Sequence, residues 1–262
     1  MLKINKIYNG DCFNLFPKIE DCMIDLIITD PPFAIDFKEE KGNYNRTASN
    51  VLKGYVEVDK KDYLDFSKRW ISEAYRVLKE SGSLFIFSGW NNLKDILIAV
   101  DEIGFITVNH IIWKYQFGVY CSKKFVTSHY HCLYLCKDDK KRKFYKDRRY
   151  GPKEKTMNGS SLQYKDMEDV WVINREYWKG KEKTPTKLPT ELVLKILTYT
   201  SDELDLVLDP FSGSGQVPLV CYLKNRRYIG FEISEEYVSF SEKRIESRRG
   251  DFFIDKRLVD LY

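Results

Sequence analysis

The stretch Ile24–Phe33 constrains the fold more than any other: an apolar, β-branched run that closes on Thr29-Asp30-Pro31-Pro32-Phe33. A strand buried in a parallel sheet reads as such a short apolar run, and two prolines end it because neither can donate to a ladder. Asp30 is thereby placed at the carboxyl end of a strand, the edge at which open α/β sheets bind ligands. A carboxylate and turn carbonyls accept hydrogen bonds, and the ring of Phe33 offers a stacking face. That set suits a planar group carrying an amino function, such as a nucleobase. The plain alternative is a simple strand-to-loop exit.

A second apolar run, Leu206-Val207-Leu208-Asp209, leads into Pro210-Phe211-Ser212-Gly213-Ser214-Gly215-Gln216 and then the apolar stretch 217–223. Glycines in such a turn let backbone approach a ligand closely, and the following helix offers unpaired N–H groups. Further on, Arg227–Glu232 reads as the next strand, ending in an acid placed to accept hydrogen bonds from ribose hydroxyls. Pro218 stands where a dinucleotide fingerprint needs its third glycine, which disfavours a nicotinamide cofactor.

These motifs resemble the amino-group DNA methyltransferases that use S-adenosylmethionine. Thr29–Phe33 matches their Asp-Pro-Pro-Tyr/Phe signature and Asp209–Gly215 their cofactor loop, in the permuted order of the β class. Asn9-Gly10-Asp11, Gly230-Phe231-Glu232 and, in shortened form, Pro185-Thr186-Lys187-Leu188-Pro189 extend the match. The departures are Phe33 for the commoner Tyr, Gln216 and Val217 where Thr-Thr is frequent, and that compressed Pro-Thr-Lys segment.

The resemblance implies an α/β, doubly wound, seven-stranded Rossmann-like sheet with the catalytic half first. It assigns catalysis to Asp30, Pro31, Pro32 and Phe33. It assigns S-adenosylmethionine binding to Asp11, Thr186, Lys187, Asp209, Pro210, Phe211, Gly213, Ser214, Gly215 and Glu232. In the family an acid at the position of Asp30 goes mostly with adenine and a serine mostly with cytosine. The implied reaction is therefore methylation of the 6-amino group of adenine in double-stranded DNA, with cytosine N4 as the alternative. A cognate restriction endonuclease and a homodimer are possible partners. RNA and protein-amide methyltransferases use related turns, but the permuted order and a basic insertion argue against them. A non-catalytic DNA-binding relative is disfavoured by the intact Asp30, Gly213 and Gly215.

That basic insertion is the segment 137–155, with ten basic residues against four acidic ones in a chain whose total charge is only +4. Phe144, Tyr145 and Tyr150 are interleaved with Lys140, Lys141, Arg142, Lys143, Arg148 and Arg149, a composition suited to nucleic-acid contact; a solvated charged face is the alternative. The expected organisation is 1–136 as catalytic half, 137–180 as target-recognition insertion and 181–262 as cofactor half. The loop 37–50 is read as a lid over the site or else a solvated insertion.

Helices are expected over 63–79, stopped by Ser81-Gly82, over 91–103, stopped by Gly104, over 189–200, and after Ser234. Strands are expected over 3–9, 84–87, 106–113 and 130–136, and Trp171-Val172-Ile173 resembles the short strand that precedes the family's cofactor half. Lys243, Arg244, Arg248 and Arg249 fall late in the last helix, where its dipole favours cations.

No run approaches the roughly 18–20 apolar residues of a membrane span, and the N-terminus is charged, so a cytoplasmic protein is expected. The six cysteines are scattered and no disulfide is expected. His129-Tyr130-His131-Cys132 with Cys136 invites a zinc reading. No distant second pair exists, however, and alternation sends the histidines and cysteines to opposite faces, so no metal is expected.

Overall fold

The computed structural model describes residues 2–32, 58–116, 118, 120, 122–176 and 187–248. Phe33, Thr186, Arg249 and the loop 37–50 lie outside them. The elements in chain order are β1 (Lys6–Asn9), α1 (Cys12–Leu15), β2 (Ile24–Thr29), α2 (Tyr63–Val77), β3 (Leu78–Ser88), α3 (Trp90–Ile103), β4 (Ile106–Lys114) and β5 (His129–Cys136). They continue with α4 (Leu162–Asp166), β6 (Val170–Val172), α5 (Thr190–Thr200), β7 (Leu206–Asp209), α6 (Gln216–Leu223), β8 (Arg227–Glu232) and α7 (Glu235–Glu246).

The strands form one sheet in the order β1-β8-β7-β2-β3-β5-β4-β6. It has eight strands where seven were expected, because Val170–Val172 pairs in parallel with β4 and becomes an edge strand. β5 alone runs against the rest, pairing antiparallel with both β3 and β4. The carboxyl ends of the other strands and the amino end of β5 therefore share one edge. β2 sits between β7 and β3, where the chain order reverses, and such a switch point opens a crevice at the carboxyl edge.

All six residues of β2 are buried, as a central parallel strand requires. One face of the sheet packs on α2 and α3 through Trp70, Ile71, Ala74, Leu93 and Ile96, and the other on α5, α6 and α7 through Leu192, Val193, Ile196, Val220 and Val238. The result is a three-layer α/β/α arrangement.

Ser81-Gly82 does not stop α2, which ends at Val77; β3 begins immediately, at Leu78. Gly82 serves close strand packing instead, since a Cβ there would lie 2.6 Å from the Leu78 side chain and 2.9 Å from the Asp25 carbonyl. Gly104 does end α3, with a left-handed φ of 94°.

The basic segment departs most from its expected role. Lys143 binds Asp205 at 2.6 Å, Asp202 at 3.2 Å and Asp25 at 3.7 Å. Arg148 binds Asp202 at 2.6 Å and the Ser201 carbonyl at 2.7 Å, and its guanidinium lies 3.4 Å from the Tyr145 ring centre. Arg142 pairs with Asp139 at 2.6 Å, and Lys141 with Asp138 at 3.2 Å. Lys140 lies in the same turn, its backbone N–H donating to Asp138. Asp25 and Asp205 stand at the amino ends of β2 and β7, so Lys143 sits about 17 Å, one six-residue strand, from the carboxyl edge.

Arg149 is only 4% exposed and is held by Asp166 at 2.9 Å and by Glu191. Lys195 and the Tyr199 hydroxyl converge on the same Asp166 carboxylate. Lys143, Arg148 and Arg149 are thus paired with carboxylates of this chain.

Removing Arg149 takes the ion pair from Glu191 and leaves Asp166 to Lys195 and Tyr199, a loss of about 3–5 kcal/mol for breaking a buried pair. Arg149→Ala is therefore expected to move the urea midpoint strongly downward while the salt dependence of DNA affinity stays as in the wild type. A stable variant with a flattened salt dependence would return Arg149 to the DNA surface.

Candidate active site at the carboxyl edge of the sheet

Asp30 leaves β2 directly after Thr29, with Pro31 and Pro32 ending the ladder as expected. Its Oδ1 is buried and accepts no hydrogen bond among the described residues. Burial raises its proton affinity to about 7, against the opposing charge of Arg175. On the neighbouring strand Asp209 is buried, accepting from the Thr29 hydroxyl and the Phe211 N–H, both at 3.2 Å. Burial, together with Asp30 and Glu232, pushes it up to about 8 despite those hydrogen bonds. Three carboxylates thus share one edge of the sheet.

The turn after β7 adopts the expected glycine conformations, with φ of 47° at Gly213 and 70° at Gly215. A Cβ on Gly213 would meet nothing within 4 Å among the described residues. One on Gly215 would lie 2.5 Å from the Ser241 Cβ, so the turn is packed tightly from behind. Glu232 ends β8 and accepts from the Gly213 N–H at 2.8 Å and the Ser234 N–H at 2.9 Å. Burial raises its proton affinity and those N–H groups oppose the rise.

Arg244 of α7 donates to the Ser214 carbonyl and, at 2.8 Å, to Gln216. Gln216 in turn donates to the Thr190 hydroxyl at 2.9 Å, and Thr190 is bound through its N–H to Glu176 at 2.6 Å. The turn is therefore fixed by a chain of polar side chains that reaches back to the segment after β6.

A model described as DNA methylase matches residues 24–243. The chain belongs to the amino-group DNA methyltransferases. It is 32% identical over 244 residues to the type II methyltransferase M.HpaI of Haemophilus parainfluenzae, covering 92% of this chain and 74% of that one. It is 32% identical over 250 residues to M.BamHI of Bacillus amyloliquefaciens, covering 88% and 55%. The PvuII cytosine-N4-specific DNA methyltransferase has the same fold, with a TM-score of 0.70 at 20% identity over 98% of this chain and 87% of that one. S-adenosylmethionine is the family's methyl donor.

Of the residues the sequence singled out, the methyltransferase fold brings Asp30, Pro31, Pro32, Asp209, Gly213, Ser214, Gly215 and Glu232 to this edge. Asp11 caps α1 by accepting from Phe13 N–H at 2.9 Å. Phe211 turns into the core, its ring 5.5 Å from Trp70 and 5.7 Å from Phe66, and Pro210 beside it is buried. Lys187 is paired with Glu176 at 2.7 Å.

Sequence reasoning passed over Arg175 and Glu176, which sit in no recognisable motif. It read Arg244 as a helix-dipole partner, whereas its guanidinium holds the glycine turn.

The raised proton affinity of Asp30 has a consequence for stability. The folded state holds this proton to about pH 7 and the unfolded chain releases it near 4, so stability falls as pH rises through that window. Asp30→Asn removes the contribution. Its thermal midpoint is expected to match the wild type near pH 4 and to exceed it at pH 8, by about 2–4 °C per kcal/mol recovered. Parallel melting curves across that pH range check this, and a constant difference would contradict it.

Proposed function

We propose that this methyltransferase transfers a methyl group from S-adenosylmethionine to the 6-amino group of adenine in double-stranded DNA, as the modification partner of a restriction endonuclease. The observation that carries the reading is the buried Oδ1 of Asp30, unpartnered among the described residues, at the switch point beside the glycine turn. An acid at this position favours adenine over cytosine.

The residues present fit the cofactor. Gly213 holds a left-handed backbone position where a Cβ would meet nothing within 4 Å among the described residues, and the Glu232 carboxylate lies against its N–H. Gly213, Ser214, Gly215 and Glu232 are the residues to hold it, with Glu232 accepting from the ribose hydroxyls. Bound there, S-adenosylmethionine supplies a methyl group on a cationic sulfur.

The exocyclic nitrogen of a base is a poor nucleophile because its lone pair is delocalised into the ring. Asp30 and the Pro31 carbonyl accept its two hydrogens and turn the lone pair toward the methyl group. After transfer the nitrogen carries a surplus proton, and a carboxylate with proton affinity near neutrality is suited to receive it. The base must first leave the helix stack, at a cost of a few kcal/mol. Phe33, which follows Pro32, is the proposed stacking partner and returns roughly 1–3 kcal/mol.

The DNA surface must lie at the carboxyl edge, whereas the charge of the segment 137–148 lies chiefly at the other. The β4–β5 connection leaves from the carboxyl edge and carries Lys123 and Lys124 with no acid between Tyr115 and His129. Phe125 beside them is 99% exposed and Tyr120 is 82% exposed. Exposed cations flanking an aromatic side chain suit phosphate contact with a base-stacking wedge.

Asp30→Ala is expected to abolish methyl transfer while calorimetric cofactor binding persists. Mass spectrometry of nucleosides from DNA treated with the wild type identifies the base. 6-Methyladenine supports the reading, 4-methylcytosine moves it to the other amino base, and neither in any duplex tested would overturn it. Lys123→Ala with Lys124→Ala should reduce the log-affinity versus log-salt slope by up to about two. An unchanged slope would exclude this loop from the interface.

A further inference from the structure

Asp30 and Arg175 carry opposite charges, and each has a buried atom without a partner among the described residues. Asp30 Oδ1 accepts nothing and Arg175 Nε donates to nothing among the described residues. Arg175 follows β6 by three residues. Its guanidinium lies 3.9 Å from the ring centre of Tyr115 and 5.5 Å from that of Tyr130, and it hydrogen-bonds the Tyr130 hydroxyl. Stacking on Tyr115 holds the guanidinium in place without using its Nε–H. An unsatisfied buried polar atom costs about 1–3 kcal/mol, so two in one site suggest a ligand that satisfies both.

An ionised carboxylate only accepts hydrogen bonds and a guanidinium only donates them. Adenine and cytosine present the complement, an amino donor beside an unprotonated ring nitrogen on the Watson–Crick edge. Thymine presents a carbonyl beside a ring N–H, mismatched at both positions, and guanine has a ring N–H in place of the unprotonated nitrogen on that edge. The groups acting on Asp30 or acted on by it are Arg175 after β6, Asp209 of β7, and Tyr130 and Cys132 of β5. Arg175 is the cation in that set, and its charge opposes the effect of burial on Asp30.

We propose that Arg175 is a base-reading and positioning residue, donating its Nε–H to the ring nitrogen beside the target amino group. This rests on the amino-methylation reading above for its base contact, but not for its effect on Asp30.

The test has two arms. In the free protein, carbon-13 NMR titration follows the Asp30 carboxyl, assigned by its loss in Asp30→Asn. The midpoint is expected near 7 in the wild type, about one unit higher in Arg175→Met, and near the wild-type value in Arg175→Lys. Calorimetric cofactor binding serves as the folding control, with Arg175→Gln replacing Arg175→Met if the latter fails it. An unmoved midpoint overturns the electrostatic role, whatever the substrate proves to be.

The second arm compares kcat/KM on duplexes carrying the target base or its analogue with carbon in place of that ring nitrogen: 1-deazaadenine for adenine, 3-deazacytosine for cytosine. The wild type should lose roughly 10–150-fold on the analogue, the equivalent of one charge-assisted hydrogen bond. Arg175→Met, already slower on the natural base, should show little further loss. An equal loss in both proteins overturns the base contact. Absence of methylation on either natural base removes the amino-methylation reading and leaves the titration to decide the pairing with Asp30.

Discussion

The structure depends on the burial of β2 on both faces at the centre of the sheet. The strand carries an acid near each end, and the two meet opposite fates. Asp25 is neutralised by Lys79 at 2.7 Å and accepts the Leu206 N–H at 3.0 Å, which ties β2 to β3 and β7. Among the described residues Asp30 receives no comparable partner, and its Oδ1 is unsatisfied.

The same division applies to the rest of the sheet. At the amino edge, Lys143, Arg148 and Tyr145 gather Asp202 and Asp205 into a network that joins the segment after β5 to the end of α5. Those hydrogen bonds hold the Asp202 carboxyl below its ordinary range in spite of burial. At the carboxyl edge, Asp30, Asp209 and Glu232 are all pushed upward, with burial as the largest cause. Raised proton affinity is thus clustered at the carboxyl edge, and the Asp202 carboxyl at the far edge is shifted the other way.

The glycine turn shows how a site is braced from outside its own motif. Gly213 and Gly215 give the backbone its path, but Arg244, Gln216, Thr190 and Glu176 hold that path in place. The bracing residues come from four separate segments, so the turn depends on the segment that follows β6. Val170–Val172 is likewise part of the sheet, since its register with Ile112–Lys114 continues the order of strands.

The sequence by itself determined the features that depend on neighbours along the chain. The apolar run before Asp30, the prolines after it, the glycine turn after Asp209 and the acid ending β8 each act within a few residues, and each stands where local physics puts it. Only the tertiary structure decided how charge is spent, because opposite charges are paired across distances in sequence that no local pattern records. Lys143 meets Asp205 across 62 positions and Arg149 meets Glu191 across 42, so cations in a run that reads as a nucleic-acid surface are paired within the chain. Arg175 shows the converse: a lone arginine with no motif around it acquires meaning when β6 pairs with β4 and brings its charge to bear on Asp30.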